Sequence, residues 1–482
     1  MKLRELLTGV PICAGSADLE MEISGVSYDS RTTRPGDLFV AMTGFATDGH
    51  QYIAKALANG AAAVLCQRRP AEACAYVQTE DSRRALAVIG GNWFGHPAEE
   101  MTMIAVTGTC GKTTTTYLLK AILEQARGAK VGLIGTNQNM IGSDVIPTER
   151  TTPESFEVQK LFREMADAGC THVVMETSSH ALYLDRVYGV RYDVGIFTNL
   201  TQDHLDFHKT MENYCDAKAI LFRNCVTGVV NADDPWTPRL LKDADCKVMT
   251  YAEQADADLR AENIVLSAGG IAFDAVSGAE RAPIRVNIPG GFMVYNTLDV
   301  LGAALALGIS LEESAAVLAQ VPHVKGRVEI VPTPDKDYTI LIDYAHTPDS
   351  MVNVLQTVKE FAKGRTVAVF GCGGDRDRTK RPLMGKAAAD WSDFAVVTTD
   401  NPRTEEPEAI IADILPGFDG SATPYHVVVD RIEAIHWAMD HAETDDVIVL
   451  CGKGHETYQE VNHVKHHMDE REIVADYLSS GR

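Results

Sequence analysis

The segment that most constrains the fold is a glycine-rich turn between an apolar strand pattern and an apolar-periodic helix. The turn, GTCGKTT at residues 108–114, follows a predicted strand at 103–107 and opens a helix predicted from Lys112 to about Gln125. At such a helix start, free backbone N–H groups and the positive end of the helix dipole hold phosphate, and a lysine reaches the terminal phosphates. The pattern predicts an ATP or GTP site, although Val106 replaces the first glycine of the full motif.

The length predicts more than one folding unit. At roughly 150 residues per domain, 482 residues correspond to about three domains. Strands alternate with helices along the chain, which predicts parallel sheets covered by helices on both faces. We therefore predict an α/β protein with a small N-terminal α/β domain at 1–98, a central doubly wound P-loop ATPase domain at 99–330 and a C-terminal Rossmann-like domain at 331–482. The predicted strands are 37–41, 62–65, 103–107, 131–134, 172–176, 194–198, 226–230, 339–342, 366–370, 394–398 and 447–450.

Composition narrows the class of partner. The chain is 45% apolar and 23% charged, which is typical of a globular protein. A formal charge of -23 repels nucleic acid and anionic lipid surfaces, so an anionic ligand must be held by local groups. Ten cysteines without a CxxC pair favour a reducing compartment. Neither a signal peptide nor a membrane span is recognisable, and we expect a cytoplasmic protein without membrane insertion.

Two polar segments follow strands of the predicted central sheet. They are ETSSH at 176–180 and TNLTQDHLD at 198–206. Because ligands of doubly wound sheets bind at the carboxyl ends of the strands, Glu176, His204 and Thr113 could converge on a divalent ion. Taken singly, His204 is more often a loop histidine and Glu176 a solvated carboxylate.

With these segments in view, the chain resembles the Mur ligase family of ATP-dependent enzymes that form amide bonds. Order and spacing make the resemblance specific, since each motif alone is weak. The matching motifs are YDSR at 28–31, PGDLFVA at 35–41, the 108–114 turn, TTP at 151–153, ETSSH, TNLTQDHLD, YAHTP at 344–348, GCGGDRD at 371–377, DNPR at 400–403 and GKGHE at 452–456.

The resemblance implies ATP and Mg²⁺ as cofactors and an acyl-phosphate mechanism. It also implies a set of nucleotide-binding residues, with Lys112 catalytic: Gly108, Thr109, Cys110, Gly111, Lys112, Thr113, Thr114, Asn296, Arg327, Asp343 and His346. From the sequence alone, Asn296 could instead cap a helix predicted at 298–307, and His346 could only close a turn before Pro348.

The resemblance also implies a second metal and a modified lysine. Lys218 matches a lysine that the family carbamylates with CO₂, and its carbamate would join Thr113, Glu176 and His204 as metal ligands. The resemblance also implies that Lys218, His204 and Glu176 are catalytic. Without the family, Lys218 reads as a solvated helix lysine. A uridine-linked sugar peptide, UDP-MurNAc-L-Ala-D-Glu, is expected to bind at Ser30, Thr151, Thr152, Ser178 and Arg186.

The acceptor amino acid is the last expectation. The residues implied to bind it are Arg376, Asp400, Asn401, Pro402, Arg403, Gly452 and Glu456. Arg403 can grip the second carboxylate of meso-2,6-diaminopimelate with two parallel hydrogen bonds, and it would repel the ammonium of L-lysine. The plain alternative for DNPR is an Asn-Pro turn.

Other functions stay open at this point. The same ligase fold could add L-lysine or D-Ala-D-Ala, and a folate-type polyglutamate ligase shares the ATP core. A non-catalytic NTP-binding regulatory module is compatible with the phosphate loop alone. We expect an amide-forming, ADP-producing ligase of peptidoglycan precursor synthesis that acts as a monomer.

Overall fold

The computed structural model describes residues 1–44, 47–148, 150–267, 269–321 and 325–480. Within these ranges the strands form three sheets, of five, eleven and six strands, and one separate hairpin. None of the helices there combines the length and the apolar character that a bilayer span requires. The predicted three-part α/β architecture is confirmed.

The first sheet is small and mostly parallel, in the order β1-β5-β4-β3-β2. In the described part of this sheet, β1 pairs antiparallel with β5, and the other strand pairs are parallel. Gly60, with φ of +98°, lies between the second helix and β4, where its Cβ would crowd Pro35. The elements are α1 Leu3–Leu6, β1 Ala14–Gly15, β2 Gly25–Ser27, β3 Asp37–Val40, α2 Ile53–Ala58, β4 Ala63–Cys66, β5 Tyr76–Gln78 and α3 Ser82–Phe94.

The second sheet has eleven strands in the described residues, in the order β16-β15-β14-β13-β12-β11-β6-β10-β7-β8-β9. Its strands are β6 Thr102–Thr107, β7 Val131–Ile134, β8 Asn139–Ile141, β9 Asp144–Ile146, β10 His172–Glu176, β11 Tyr192–Phe197, β12 Cys225–Asn231, β13 Lys247–Ala252, β14 Leu259–Ser267, β15 Gly270–Ser277 and β16 Glu280–Val286. Its helices are α4 Lys112–Arg127, α5 Ser155–Asp167, α6 Ser179–Tyr183, α7 Leu205–His208, α8 Met211–Ala219, α9 Thr237–Leu240, α10 Phe292–Ala306 and α11 Leu311–Leu318.

The central part of this sheet is parallel, but both edges are not. The strands β14, β15 and β16 pair antiparallel, and so do β7, β8 and β9. The purely parallel sheet that the sequence suggested is therefore wrong at its edges, where hairpins extend it. Buried side chains cover both faces: α4 and α10 pack on one, and α5, α6 and α8 on the other.

The third sheet follows the order β17-β18-β22-β19-β20-β21, with β17 antiparallel to β18 and the other described pairs parallel. Its strands are β17 Glu329–Val331, β18 Thr339–Asp343, β19 Thr366–Phe370, β20 Phe394–Val397, β21 Tyr425–Val427 and β22 Val447–Cys451; β23 Tyr458–Val461 and β24 Val464–His467 form the separate hairpin. Its helices are α12 Pro348–Phe361, α13 Lys380–Trp391, α14 Pro407–Ile414, α15 Arg431–Asp440 and α16 Glu470–Ser479.

Candidate active site

A cavity of about 790 Å³ lies where strand ends of the second sheet meet loops of the third. Most of the site residues predicted from the sequence line it. These are Thr109, Cys110, Gly111, Lys112, Thr113, Thr114, Thr151, Glu176, Ser178, His204, Asn296, Arg327, Asp343, His346, Arg376, Asp400, Asn401, Arg403, Gly452 and Glu456. Gly108, Ser30, Thr152, Arg186, Lys218 and Pro402 are outside this lining as drawn from the described residues.

The phosphate loop joins β6 to α4 and is tied to the next strand end. The backbone N–H of Cys110 donates to the Asn199 side chain at 2.9 Å, and the Cys110 carbonyl accepts from Thr198 Oγ1 at 2.6 Å. Gly111 has φ of +90°, and a Cβ there would lie 2.3 Å from Asn296 Oδ1. This position therefore needs glycine on two counts, since positive φ and close approach both exclude a side chain.

The cysteine of this loop contributes mainly its backbone. Burial raises the pKa of the Cys110 thiol to about 11, so it stays protonated near neutral pH. Lys112 Nζ donates to the carbonyls of Gly108 and Thr109 at 3.0 and 2.8 Å. The cationic head thus lies over its own loop, next to the helix start that would receive phosphate oxygens.

Thr113 lies at the centre of a hydrogen-bonded chain of polar groups. Its hydroxyl donates to Glu176 Oε1 at 2.9 Å and accepts from Arg327 Nη2 at 2.9 Å. The Glu176 carboxylate also accepts from the backbone and hydroxyl of Thr136, at 2.9 and 2.8 Å. The sequence reasoning missed Thr136, because it stands two residues after a strand in a segment without a distinctive motif.

The environment of Lys218 overturns its reading as a solvated helix residue. The side chain is 1% exposed, and Nζ donates to the Gly108 carbonyl at 2.7 Å. Nζ also lies 4.3 Å from the centre of the Tyr214 ring. Burial, and then the charge of Lys112, lower the pKa of the Lys218 amine well below its ordinary value. This environment favours the neutral amine over the ammonium, compared with a solvated lysine.

His204 belongs to a cluster of rings beside the loop. It has a left-handed backbone with φ of 55° at the start of α7, and its ring centre lies 4.8 Å from that of His180. Desolvation lowers the pKa of His204 to about 4, with His180 and Lys218 adding to the effect and Asp203 opposing it. His204 is therefore neutral at pH 7, the form in which imidazole binds metals.

The predicted metal site lies beside the phosphate loop, where Thr113 and Glu176 are hydrogen-bonded to each other. Across the described ranges, no group of three or more His, Cys, Asp or Glu residues is placed to hold a metal ion. The predicted set is of another kind, since it combines a threonine hydroxyl, one carboxylate, one imidazole and a modified lysine. The bonded pair of Thr113 and Glu176 supplies hard oxygen atoms beside the phosphate loop, which suits Mg²⁺.

The predicted nucleotide-binding residues outside the phosphate loop come from separate elements. Asn296 does not begin its helix: α10 starts at Phe292, and Asn296 lies in its second turn, 4% exposed. The capping alternative is therefore wrong. Asp343 is buried at the end of β18 and accepts from the Val328 N–H at 2.8 Å. Its burial raises the pKa of the carboxyl.

His346 lies near the same strand end. Its ring is bonded to the Tyr344 carbonyl at 2.8 Å, and burial lowers its pKa to about 4. The backbone of His346 accepts from Lys380 Nζ at 2.9 Å. His346 therefore reaches the cavity as a neutral ring, in addition to shaping the turn before Pro348.

Three of the residues predicted to hold the sugar peptide meet at the end of β10. Ser178 donates its N–H to Thr152 Oγ1 at 3.1 Å, and Arg186 Nη1 donates to the Thr152 carbonyl at 3.1 Å. The hydroxyl of the adjacent Thr151 is hydrogen-bonded to the hydroxyl of Thr136, with 2.9 Å between the two oxygen atoms. Ser30 is buried in the first sheet domain, where its carbonyl accepts from Asn59 at 2.7 Å.

The predicted acceptor residues form a network of their own. The side chain of Asn401 donates to Glu456 Oε2 at 3.0 Å and accepts from Lys453 Nζ at 2.8 Å. Lys453 is fully buried and also bonds Glu456 at 2.5 Å. A Cβ on Gly452 would lie 2.4 Å from Asp400 Oδ2. Hydrogen bonds and close packing therefore join the DNPR loop at 400–403 to the GKGHE loop at 452–456.

Two arginines and a proline complete this part of the site. A Cβ on Gly373 would lie 2.9 Å from Arg403 Nη1 and 3.6 Å from Arg376 Cγ, so both arginines flank this glycine. Pro402 contributes a carbonyl packed against Gly374. The sequence reasoning missed the structural part played by Lys453, although its place inside GKGHE was a usable signal.

Fold and site together define an ATP-dependent ligase built from three α/β units, and comparison with known proteins agrees. Models of the Mur ligase family match residues 22–92 (catalytic domain), 106–304 (middle domain) and 326–454 (glutamate ligase domain). The chain belongs to the Mur ligase family.

Within the family, similar relatives share one name. The chain is 48% identical, over 95% of both chains, to the UDP-N-acetylmuramoyl-L-alanyl-D-glutamate--2,6-diaminopimelate ligase of Clostridium botulinum. It is 47% identical, over 99% of both chains, to ligase 1 of that name from Clostridium acetobutylicum. A solved structure of an enzyme with this name superposes with a TM-score of 0.71 at 32% identity, covering 100% of this chain and 99% of the other. Thermotoga maritima MurF with ADP shares the fold at 19% identity and a TM-score of 0.63, over 94% and 97% of the two chains.

Proposed function

We propose that the chain uses ATP to join meso-2,6-diaminopimelate to the γ-carboxylate of the D-glutamyl residue in UDP-MurNAc-L-Ala-D-Glu. The names of the relatives support this substrate pair. The observation that carries the proposal is that one cavity is lined both by the phosphate loop and by Arg403, Arg376 and Glu456. Activation of a carboxylate and capture by an amino acid need both groups in one chamber.

In the first step the D-glutamyl carboxylate attacks the γ-phosphorus of ATP, and ADP leaves with the electrons of the broken P–O bond. The start of α4 and Lys112 face the triphosphate and neutralise its charge. When bound, Mg²⁺ would supply further positive charge to neutralise the phosphate and carboxylate oxygens. Thr113, Glu176, His204 and a carbamate on Lys218 would hold it.

In the second step a neutral amine of diaminopimelate adds to the acyl phosphate carbon. The tetrahedral adduct then collapses, so that a C–N bond replaces the C–O bond to phosphate, and phosphate and a proton are released. Arg403 and Glu456 bind the far carboxylate and ammonium of the acceptor and so orient the attacking amine. Arg186, Thr152 and Ser178 hold the other substrate, with Ser30 contacting its uridine part.

Carbamylation of Lys218 is part of the proposal. CO₂ reacts with an unprotonated amine: a C–N bond forms, and one proton is released. The lowered pKa of Lys218 supports this chemistry, since burial and the charge of Lys112 favour the unprotonated amine that reacts with CO₂. The neighbouring carbonyl of Gly108, 2.7 Å from Nζ, holds the amine in place until it reacts.

The experiment is a phosphate-release assay with purified protein, ATP, Mg²⁺ and UDP-MurNAc-L-Ala-D-Glu. A panel of diaminopimelate, L-lysine, L-glutamate and D-Ala-D-Ala is added one at a time. We expect phosphate release and a new amide product with diaminopimelate alone. Absence of release with diaminopimelate would overturn the proposal, and release with L-lysine would replace the acceptor.

We further propose that the enzyme acts as a monomer in the cytoplasm, where ATP is plentiful. Light scattering after size-exclusion chromatography is expected to give the chain mass of 52.4 kDa. A mass twice as large at micromolar concentration would contradict the monomer.

A further inference from the structure

The hairpin of β23 and β24 is docked on the loop that carries Arg403. The N–H of Arg403 donates to the Glu460 carbonyl at 3.1 Å, and the Arg403 carbonyl accepts from the N–H of Asn462 at 2.7 Å. The backbone of Arg403 forms an isolated parallel β-bridge with Val461, and its φ is 52°. A left-handed backbone is costly for a residue with a Cβ, so these hairpin contacts hold the residue in a conformation it would otherwise leave.

The Arg403 side chain is held at two of its donors. Nε donates to Glu460 Oε2 at 3.2 Å, and Nη1 donates to the Gly374 carbonyl at 2.8 Å. The Arg403 and Glu460 side chains are only 18% and 21% exposed. Within the described part of the chain, Nη2 makes no hydrogen bond. The guanidinium is thus held at Nε and at Nη1. Both hydrogens of Nη2 and the second hydrogen of Nη1 are left for a ligand.

We propose that Glu460 is a positioning residue that fixes Arg403 for the far carboxylate of the acceptor amino acid. The inference rests on the proposed function and extends it to a residue that does not itself line the cavity. A guanidinium already held at Nε and Nη1 loses little rotamer freedom when a carboxylate binds its free end. An arginine without these partners would have to be ordered by the ligand, which weakens binding.

Glu460 is itself part of the acceptor network. Its N–H donates to Asn401 Oδ1 at 2.9 Å, the oxygen that also accepts from Lys453. The amide nitrogen of the same Asn401 holds Glu456. One asparagine therefore links the group expected to meet the acceptor's ammonium with the group that aims Arg403 at its carboxylate. A far end that carries both charges fits this unit, whereas L-lysine offers only the ammonium.

The test compares Glu460→Ala and Glu460→Gln with the unaltered enzyme in the phosphate-release assay. We expect Glu460→Ala to raise the KM for diaminopimelate about tenfold, equivalent to about 1.4 kcal/mol. The kcat and the KM for ATP should stay within about twofold, because the phosphate loop is untouched. Glu460→Gln keeps a hydrogen-bond acceptor for Nε and should restore most of the affinity.

The matched control is Glu472→Ala, which removes an exposed carboxylate that pairs with His467 of the same hairpin at 2.6 Å. Its KM for diaminopimelate should not change. If Glu460→Ala does not fold, Glu460→Leu takes its place, because leucine keeps the bulk of the side chain and removes the acceptor: a KM for diaminopimelate raised about tenfold supports the proposal, and an unchanged KM overturns it. An unaltered enzyme that is active with diaminopimelate while Glu460→Ala keeps its KM refutes this inference only. Inactivity of the unaltered enzyme refutes the proposed function instead.

Discussion

The guanidinium of Arg327 donates to the hydroxyl of Thr113 at 2.9 Å, across a separation of 214 residues. The same hydroxyl donates to Glu176. Arg327, which precedes the third sheet, therefore contacts the first turn of the helix that follows the phosphate loop of the second sheet.

The first prediction concerns Thr113. Thr113→Val keeps the shape of the side chain but removes one of the three donors to the Glu176 carboxylate and the acceptor of Arg327 Nη2. We expect kcat/KM for ATP to fall at least about a hundredfold, which corresponds to about 3 kcal/mol. Thr116→Val is the control, since Thr116 lies on the same helix and bonds only the Thr113 carbonyl among the described contacts, at 2.8 Å. Equal activity of the two variants would contradict the role of the Thr113 hydroxyl.

The second prediction concerns the carbamate. Protein incubated with ¹³C-bicarbonate at pH 8 should show one carbamate carbon resonance that is absent from Lys218→Arg. The reason is the buried amine of Lys218, whose pKa is lowered by burial and by the charge of Lys112. Persistence of the signal in Lys218→Arg would assign it to another amine, and its absence from the unaltered protein would rule out carbamylation under these conditions.

The third prediction concerns acceptor selectivity. Arg403→Ala should raise the KM for diaminopimelate between about tenfold and a hundredfold, as expected for loss of a charge-assisted contact of about 1.4 to 2.8 kcal/mol. The KM for ATP should not change. Arg378→Ala serves as control, because Arg378 is 64% exposed and pairs with Asp413. An unchanged KM for diaminopimelate in Arg403→Ala would show that Arg403 does not bind the far carboxylate of the acceptor.

The fourth prediction concerns acid stability. Burial, and then the charges of His180 and Lys218, lower the pKa of His208 to about 3, and its ring bonds Ser179 at 2.9 Å. In the unfolded chain histidine titrates near pH 6.5. Stability from the neutral ring is therefore fully present above about pH 6.5 and is lost as the pH falls towards 3. Between pH 7 and 5 this amounts to about 2 kcal/mol.

Urea unfolding at pH 7 and pH 5 measures this effect. His208→Gln should lose less stability on acidification than the unaltered protein, because the titrating ring is gone. His466→Gln, at an exposed position of β24, should behave like the unaltered protein. Identical pH dependence in all three proteins would show that His208 contributes nothing to acid sensitivity.

Local patterns were sufficient where short-range physics decides the outcome. The strands 131–134, 172–176 and 366–370 were predicted with the bounds that the structure has. A run of apolar residues ended by turn residues needs no distant partner to be recognised as a buried strand. The start of α4 at Lys112 was equally readable, because Gly111 and the polar residues after it mark a helix N-terminus.

Distant packing decided what the local patterns could not. Asn296 looked like a cap, but Met293 and Val294 are fully buried and draw the helix start back to Phe292. The hairpins at the edges of the central sheet add antiparallel strands to a parallel core. Their short alternating patterns did not stand out from loops in the sequence.

The sequence by itself determined the phosphate loop, the α/β architecture and, through its motifs, the family. Only the tertiary structure decided the chemical state of the side chains. Lys218 has the pattern of a solvated helix lysine, yet burial at 1% exposure beneath Gly108 lowers the pKa of its amine. A pKa depends on the solvent and charges removed or brought near by folding, and those neighbours come from residues far away in the chain. Arg403 shows the same dependence, because Glu460 and Gly374, which orient it, meet it only in the folded protein.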